Sequence, residues 1–307
     1  MRQVAPKEPT GGRPVLFVHG AILASYFFDV ALEEYSWMEH IARKGCPVFA
    51  LDIRGYGASD KPPAMDDAPG NSPPIAGSAE ALQDIDDAVE FIRGVAGCEQ
   101  IDLVGASWGS LTCGIYASGP GGEKIHKLVL VTPVFATRNE DWLDRLADPV
   151  NPKQLNPDLG AYRWVTEDDI RLSWDAQIPV TDKTEWRAEQ CFRAIIDEAL
   201  KWDLESSSRS PAAFQSPNGT WVDLFEVFSG RPLYEPEKIE VPTLLIRGAE
   251  DPTATDPDAR ALFERLGAQI KRYVVIGHGT HFLAAEKNRW QLFSETWNFL
   301  KPSQDGN

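Results

Sequence analysis

The stretch LVGASWGS, residues Leu103–Ser110, carries the strongest structural signal in the chain. It continues an apolar run and leads into WGSLTCGIYA, so it predicts a buried strand, a tight turn and a helix. Gly105, Ser107 and Gly109 form a G-x-S-x-G pattern, in which glycines allow the strand and the helix to approach closely. A serine in such a turn presents its hydroxyl at the carboxyl edge of the sheet, where ligands bind. Ser107 is therefore the candidate nucleophile.

A second Gly-Ala-Ser tripeptide, Gly57–Ser59 in the stretch RGYGASDK, lacks this context. It lies in the loop that leaves a predicted strand, and Lys61 occupies the position where the second glycine of the motif would stand. Glycine and serine are typical turn residues, so we interpret Ser59 as part of a turn.

Six short apolar runs alternate with segments of helical length. The runs are nearly continuous in Val, Ile, Leu and Phe, which is typical of strands buried on both faces of a parallel sheet. Ala79–Ala96 and Asp258–Ala268 are helix candidates between the runs. The pattern predicts an α/β fold with a mostly parallel, doubly wound sheet of about six strands. The runs are Pro14–Gly20, Pro47–Asp52, Ile101–Gly105, Lys127–Pro133, Pro242–Gly248 and Arg272–Gly277.

The regular alternation stops between residues 134 and 240. This segment holds six of the ten tryptophans and has 21 acidic against 12 basic residues, a net charge of −9. An insertion between two strands of one sheet lies over the ends of those strands, so we predict a helical cap inserted before the penultimate strand. The stretch ESSSRSPAAFQSPNGT within it reads as a polar loop. The predicted organisation is a core of residues 1–133 and 241–307 with a cap of residues 134–240.

Composition restricts the partners and the location of the protein. The net charge of −16 repels nucleic-acid phosphates and anionic lipid, so neither nucleic acid nor a membrane is an expected partner. The four cysteines are scattered with no C-x-x-C pair, which predicts free thiols in a reducing compartment. The sequence has neither an apolar signal segment at its start nor a run of about 18 apolar residues. These features predict a cytoplasmic protein.

Five motifs resemble those of the α/β-hydrolase superfamily and occur in the order typical of it. The resemblance covers nearly the whole chain except the predicted cap, and it implies a serine hydrolase of the esterase type. Only about thirteen residues precede the first strand of the motif series, so we expect the N-terminal hairpin of the family to be absent. The motifs are FVHGA (Phe17–Ala21), DIRGYGAS (Asp52–Ser59), GASWG (Gly105–Gly109), RGAEDP (Arg247–Pro252) and GTHF (Gly279–Phe282).

The resemblance also implies a catalytic triad in which an acid and then a histidine follow the serine. Asp251, just after the penultimate predicted strand, is the expected acid, and its neighbours Glu250 and Asp256 read as loop charges. His281 in GTHF is the expected base, with His278 as the alternative. The two histidines of HGTH would also suit a metal, but no third ligand cluster accompanies them. No metal and no cofactor are predicted.

The backbone N–H groups of Ala21 and Trp108 are expected to form the oxyanion hole, and His19 to brace the loop that contains Ala21. The side chains of Ile22, Trp108 and Phe135 are predicted to border an apolar substrate pocket. The predicted substrate is a small-molecule carboxylic ester with a bulky aromatic or medium alkyl group, cleaved through an acyl-enzyme intermediate.

Other reactions share the same triad logic. A C–C bond hydrolase or a lactonase is the alternative, and a cofactor-free peroxidase, a hydroxynitrile lyase or a non-catalytic ligand binder ranks below these. Haloalkane dehalogenases and epoxide hydrolases resemble the same fold but use a carboxylate nucleophile, so the serine at position 107 argues against them.

Overall fold

The computed structural model describes residues 1–302, which form nine strands. Seven of them make one sheet in the order β1-β3-β2-β4-β5-β8-β9, and β6 and β7 form a separate antiparallel pair. Within the large sheet every neighbouring pair is parallel except β1 with β3. The strands are β1 (Arg2–Val4), β2 (Val15–Val18), β3 (Val48–Leu51), β4 (Ile101–Ala106), β5 (Ile125–Val131), β6 (Tyr162–Thr166), β7 (Ala213–Pro217), β8 (Thr243–Gly248) and β9 (Lys271–Ile276).

All six predicted strands are present, so the predicted α/β fold with a mostly parallel sheet is confirmed. The sheet has seven strands rather than about six because β1 adds an edge. Where a hairpin was expected to be missing, this single strand of three residues pairs antiparallel with β3, Arg2 opposite Ala50 and Val4 opposite Val48. Three residues are too short a segment to show a strand pattern in the sequence.

Helices cover both faces of the sheet. Helices α1 and α9 pack on one face, where the rings of Trp37 and Phe293 stack with centroids 5.4 Å apart. Helices α2, α3 and α8 contribute to the core on the other face. Among the described residues no helix has both the length and the apolar character needed to cross a membrane. The helices are α1 (Trp37–Ala42), α2 (Ser78–Ala96), α3 (Trp108–Ser118), α4 (Glu140–Leu146), α5 (Glu167–Asp175), α6 (Glu189–Lys201), α7 (Gly219–Phe228), α8 (Asp256–Arg265) and α9 (Arg289–Leu300).

Strand β2 shows why the predicted strands are continuous in apolar residues. Successive side chains of a strand point to opposite faces of the sheet. Leu16 and Val18 enter the core on the side of α3, whereas Val15 and Phe17 enter the core on the side of α1 and α9. All four side chains are fully buried, so neither face of the strand tolerates a polar residue.

Residues 132–242, called here the inserted segment, connect β5 to β8. The segment contains helices α4 to α7, but it also contains β6 and β7, so it is not purely helical. The stretch predicted as a polar loop includes β7, in which Ala213 and Phe214 are buried and Phe214 pairs with Val165. The polar and proline residues around this strand conceal its short buried core in the sequence.

Candidate active site

Ser107 lies at a sharp turn between β4 and α3, with φ 55° and ψ −123°. Non-glycine residues rarely adopt a positive φ, and such strain is concentrated at functional sites. The flanking glycines are required by space, because a Cβ at Gly105 would collide with the carbonyl of Gly109, and one at Gly109 with the carbonyl of Val18. The backbone N–H of Ser107 donates to the carbonyl of Val131 at 2.9 Å, which holds the turn against β5.

Three side chains from three loops meet in one hydrogen-bonded line. Nε2 of His281 lies 2.8 Å from Oγ of Ser107, and its Nδ1 lies 2.8 Å from Oδ2 of Asp251. Asp251 follows β8 and His281 follows β9, so the parallel strands bring both to the edge of the sheet at which Ser107 lies. The structure thus brings together the three residues predicted as a triad.

The carboxylate of Asp251 is fixed as well as buried. Its side chain is fully inaccessible to solvent, and Oδ1 accepts the backbone N–H groups of Thr253 and Ala254, both at 2.9 Å. With its Nδ1 proton donated to Asp251, the imidazole of His281 leaves Nε2 free to accept a proton from the serine hydroxyl. This arrangement can raise the nucleophilicity of Ser107.

The alternative residues lie outside this line. The ring of His278 stacks on Trp186, with centroids 5.2 Å apart, and is exposed. Asp256 forms an ion pair with Arg260 at 2.6 Å, and Glu250 is exposed. Of the candidate acids and bases, only Asp251 and His281 contact each other, and His281 alone among them contacts the serine.

Ser59, the serine of the other Gly-Ala-Ser tripeptide, is a turn residue. Its hydroxyl donates to the carbonyl of Asp52 at 2.6 Å. The carboxylate of Asp52 in turn accepts the backbone N–H groups of Ala58 at 3.1 Å and Ser25 at 2.8 Å. These bonds fix the loop and join it to the segment after β2, and they leave Ser59 without a base.

The loop that contains Ala21 is braced by His19. Nε2 of His19 accepts the backbone N–H of Ile53 at 3.1 Å, so the ring proton is on Nδ1, which donates to the carbonyl of Gly20 at 2.7 Å. Burial lowers the pKa of His19, which keeps the ring neutral. The carbonyl of Gly20 and the N–H of Ala21 belong to one trans peptide group, so they point in opposite directions. Because the carbonyl faces His19, the N–H of Ala21 points away from it.

Both predicted oxyanion donors are near the nucleophile. A Cβ at Gly20 would lie 3.5 Å from Oγ of Ser107, so the peptide that carries the N–H of Ala21 borders the serine. Trp108 is the first residue of α3, and the first N–H groups of a helix have no partner within the helix. The two N–H groups are therefore suitably located to receive a developing oxyanion.

Two of the three predicted pocket side chains lie in the core instead. The indole of Trp108 is fully buried and its Nε1 donates to Asp223 at 2.8 Å, so only its backbone is available to a substrate. Phe135 is 2% exposed and packs edge-on against Tyr234, with ring centroids 5.3 Å apart. Each of these two side chains finds its partners in the core rather than at an exposed surface. Ile22 is partly exposed.

Two aromatic side chains outside the predicted set, Phe27 and Phe282, form a pair that begins next to the ring of His281. Both rings are partly exposed, with centroids 6.5 Å apart, and the Phe282 ring is 6.4 Å from that of His281. Phe282 also stacks on Trp174 of the inserted segment at 4.7 Å. Phe282 could have been identified from the sequence, because it belongs to the GTHF motif and directly follows the predicted base. Phe27 had no such signal.

The loop that carries His281 is held by the side chains of Glu286 and Gln177. The carboxylate of Glu286 accepts the backbone N–H of Thr280 at 2.9 Å, the hydroxyl of Thr280 at 2.6 Å and Nε1 of Trp174 at 2.9 Å. Oε1 of Gln177 accepts the backbone N–H of His281 at 3.0 Å. Burial raises the pKa of Glu286, which shows that the site disfavours a charged carboxylate. The hydrogen bonds from these donors offset the cost of burying the carboxyl group.

Replacement of Glu286 by alanine is expected to lower the free energy of unfolding by about 2–5 kcal/mol, because three buried donors lose their acceptor. Urea denaturation measures the change. Glu99 is exposed and provides the control, since Glu99→Ala should change the free energy of unfolding by less than about 0.5 kcal/mol. Equal stability of the two variants would contradict the role given to Glu286.

Comparison with known proteins places this geometry in context. A family model described as the alpha/beta hydrolase fold matches residues 13–288. An esterase from Exiguobacterium antarcticum is similar in structure with a TM-score of 0.63, at 17% identity over 98% of this chain and 94% of the esterase.

Two further solved structures are similar at comparable levels. A monoacylglycerol lipase from Paleococcus ferrophilus gives a TM-score of 0.61 at 19% identity, over 97% of each chain. A bromoperoxidase from Bacillus anthracis gives a TM-score of 0.58 at 19% identity, over 97% of this chain and 93% of that one. At these sequence identities, the similarity shows only that the fold is shared.

Proposed function

The chain belongs to the α/β-hydrolase fold family, and from this premise we propose that it is a serine hydrolase that cleaves carboxylic esters of apolar or aromatic small molecules. The observation that carries the proposal is the contact of Ser107, His281 and Asp251, with both hydrogen bonds at 2.8 Å. Esterases and a lipase among the structurally similar proteins are compatible with it.

The proposed reaction has two halves. Oγ of Ser107 attacks the ester carbonyl carbon while Nε2 of His281 takes the hydroxyl proton, and the N–H groups of Ala21 and Trp108 stabilise the oxyanion of the tetrahedral intermediate. Collapse of the intermediate breaks the bond to the alcohol oxygen, which leaves with the proton from His281. Water, deprotonated by the same Nε2, then attacks the carbonyl carbon of the acyl-enzyme. Collapse of this second intermediate breaks the bond to Oγ of Ser107, which takes the proton back from His281 as the acid is released.

We further propose that residues 134–240 act as a cap over a core of residues 1–133 and 241–307. Support comes from the inserted segment's contacts with both sides of the site, Gln177 with the backbone of His281 and Arg163 with the carbonyl of Ala21. A cytoplasmic location is proposed because all four cysteines, which lie within the described range, are free thiols.

The partly exposed rings of Phe27 and Phe282, together with Ile22, favour acyl groups of moderate size. In a series of 4-nitrophenyl acetate, hexanoate, benzoate and palmitate, we expect kcat/KM to be highest for hexanoate or benzoate. For the palmitate ester we expect kcat/KM to be at least about tenfold lower. Each buried methylene contributes about 0.8 kcal/mol, and a long chain extends beyond the small apolar surface that could bury it.

The same series tests the proposed function itself. Absence of turnover for every ester would refute it, and a lactone and a 1,3-diketone in the same assay would then test the lactonase and the C–C bond hydrolase. A flat acyl profile, or a preference for palmitate as an emulsion, would contradict only the prediction on substrate size.

A further inference from the structure

The carbonyl oxygen of Ala21 accepts three hydrogen bonds. Oη of Tyr56 donates to it at 2.8 Å, Nη2 of Arg163 at 3.0 Å and Oγ of Ser216 at 3.1 Å. A carbonyl oxygen has two lone pairs, so three donors saturate it. Two of these donors come from the antiparallel pair in the inserted segment, Arg163 from β6 and Ser216 from β7. The loop that supplies the oxyanion donor is thus held from outside the sheet.

Both peptide groups that flank Ala21 are therefore fixed. His19 holds the carbonyl of Gly20, and the three outer donors hold the carbonyl of Ala21. With the two adjoining peptide planes held, the N–H of Ala21 has a single direction. Preorganised donors of this kind avoid reorganisation during the reaction, which is the main source of their catalytic effect.

Arg163 differs from the other two outer donors because it carries a charge. Within residues 1–302 no carboxylate forms an ion pair with it; Nη1 donates to the carbonyl of Pro217 at 3.2 Å and to Oδ1 of Asn218 at 2.9 Å. Its guanidinium lies over the ring of Trp221 at 4.0 Å. Burial lowers the pKa of Arg163 to about 10, so the group stays protonated at neutral pH.

An unneutralised positive charge beside the oxyanion loop favours a state in which negative charge develops at Ser107. The interaction of two charges grows as the local dielectric constant falls, so a partly buried guanidinium such as that of Arg163 acts over a longer distance than a fully solvated one. Arg163 contacts the carbonyl of Ala21, and the preceding residue, Gly20, borders Ser107. The contact therefore brings the charge to the loop that lies beside the nucleophile. The orientation of the Ala21 loop and the charge of Arg163 thus both favour the anionic state at Ser107.

We infer that Arg163 is a positioning residue of the oxyanion hole, supplied by the inserted segment, whose fork orients the Ala21 loop and whose charge favours the anionic tetrahedral state. The inference rests on the proposed function, since it concerns the same site. It assigns to the inserted segment an effect on the rate of the chemical step in addition to any effect on substrate binding.

The test compares Arg163→Met, Arg163→Lys and Arg209→Met with the wild type. Arg209 is the matched control, because its guanidinium also lies over a tryptophan of the inserted segment, Trp164 at 3.4 Å. Steady-state kinetics with 4-nitrophenyl hexanoate give kcat and KM. The dissociation constant of phenylboronic acid, which forms a tetrahedral anion with the serine, gives the affinity for that state without turnover. Circular dichroism checks that each variant is folded.

For Arg163→Met we expect kcat to fall about 10- to 100-fold with KM within about threefold, below the effect of losing an oxyanion donor directly. The boronate should bind weaker by a similar factor. Arg163→Lys keeps the charge and should exceed the methionine variant in kcat at least about fivefold. Arg209→Met should match the wild type. If Arg163→Met does not fold, Arg163→Gln takes its place as the uncharged variant.

Three outcomes would overturn the inference. The first is an active wild type and a folded Arg163→Met of equal kcat and boronate affinity. The second is an equal kcat for the lysine and the uncharged variants, which would remove the charge from the explanation. The third is a loss confined to KM and to esters that bear a carboxylate, which would make Arg163 a substrate-binding residue. A wild type that hydrolyses no ester refutes the proposed function instead, and boronate affinity still tests Arg163.

Discussion

Ser107→Ala is expected to lower kcat by about four to six orders of magnitude, as the loss of a nucleophile does in other triads. The loss follows from geometry, because Ser107 is the hydroxyl in contact with Nε2 of His281 at 2.8 Å. A fluorophosphonate probe should label the wild-type protein once, at Ser107, and should not label the alanine variant. Hydrolysis of 4-nitrophenyl hexanoate and mass spectrometry of the labelled protein measure the two effects.

Ser59→Ala is the matched control for this prediction, since each of the two serines ends a Gly-Ala-Ser tripeptide. The hydroxyl of Ser59 bonds only to the backbone of its own loop, at the carbonyl of Asp52. Its removal should cost about 1 kcal/mol of stability or less and leave both labelling and turnover in place. Labelling of Ser107→Ala at the wild-type rate would show that another residue is the nucleophile.

His281→Ala should be nearly as damaging as Ser107→Ala, because members of a triad act as a unit and their losses are not additive. Asp251→Asn should lower kcat by about 10⁴-fold, since an amide in place of the carboxylate no longer holds the imidazole with its proton on Nδ1. Steady-state kinetics on the same ester measure both effects. The double variant of Ser107 and His281 should be no worse than either single variant.

His278→Ala is the control for the base. Its ring stacks on Trp186 and is exposed, so its removal should change kcat by less than about threefold, as expected for a surface contact. If instead His278→Ala abolished turnover and His281→Ala did not, the loop after β9 would have to rearrange in solution, and the assignment of the base would be wrong.

The triad residues could be predicted from the sequence because the motifs that resemble the α/β hydrolases carry them, and each of these residues follows a strand of a parallel sheet. Ser107, Asp251 and His281 come after β4, β8 and β9, and parallel strands gather such positions at one edge. The glycines around Ser107 added a steric signature that the structure explains by close backbone approach. Local patterns sufficed wherever the determining contact was with the backbone of a neighbouring strand.

The contacts of the inserted segment had no such local signal. Arg163 meets Ala21 across 142 residues of sequence and Gln177 meets His281 across 104, and neither belongs to a motif. The direction of the Trp108 ring had no local signal either, because its Nε1 donates to Asp223, 115 residues away. Such pairings depend on tertiary packing, which composition and periodicity do not encode.

The backbone of Ser107 limits how the protein can become more heat-resistant. A serine held at φ 55° costs of the order of 1–3 kcal/mol, and only a change that removes the nucleophile, such as glycine, would relieve that cost. Adaptation to higher temperature must therefore come from positions remote from the turn. Gly94 on the exposed side of α2 is one, since a methyl group there would meet no atom within 4 Å and alanine is favoured in helices by about 0.5–1 kcal/mol. At a position of this kind the melting temperature can be raised without any change at the turn that carries the nucleophile.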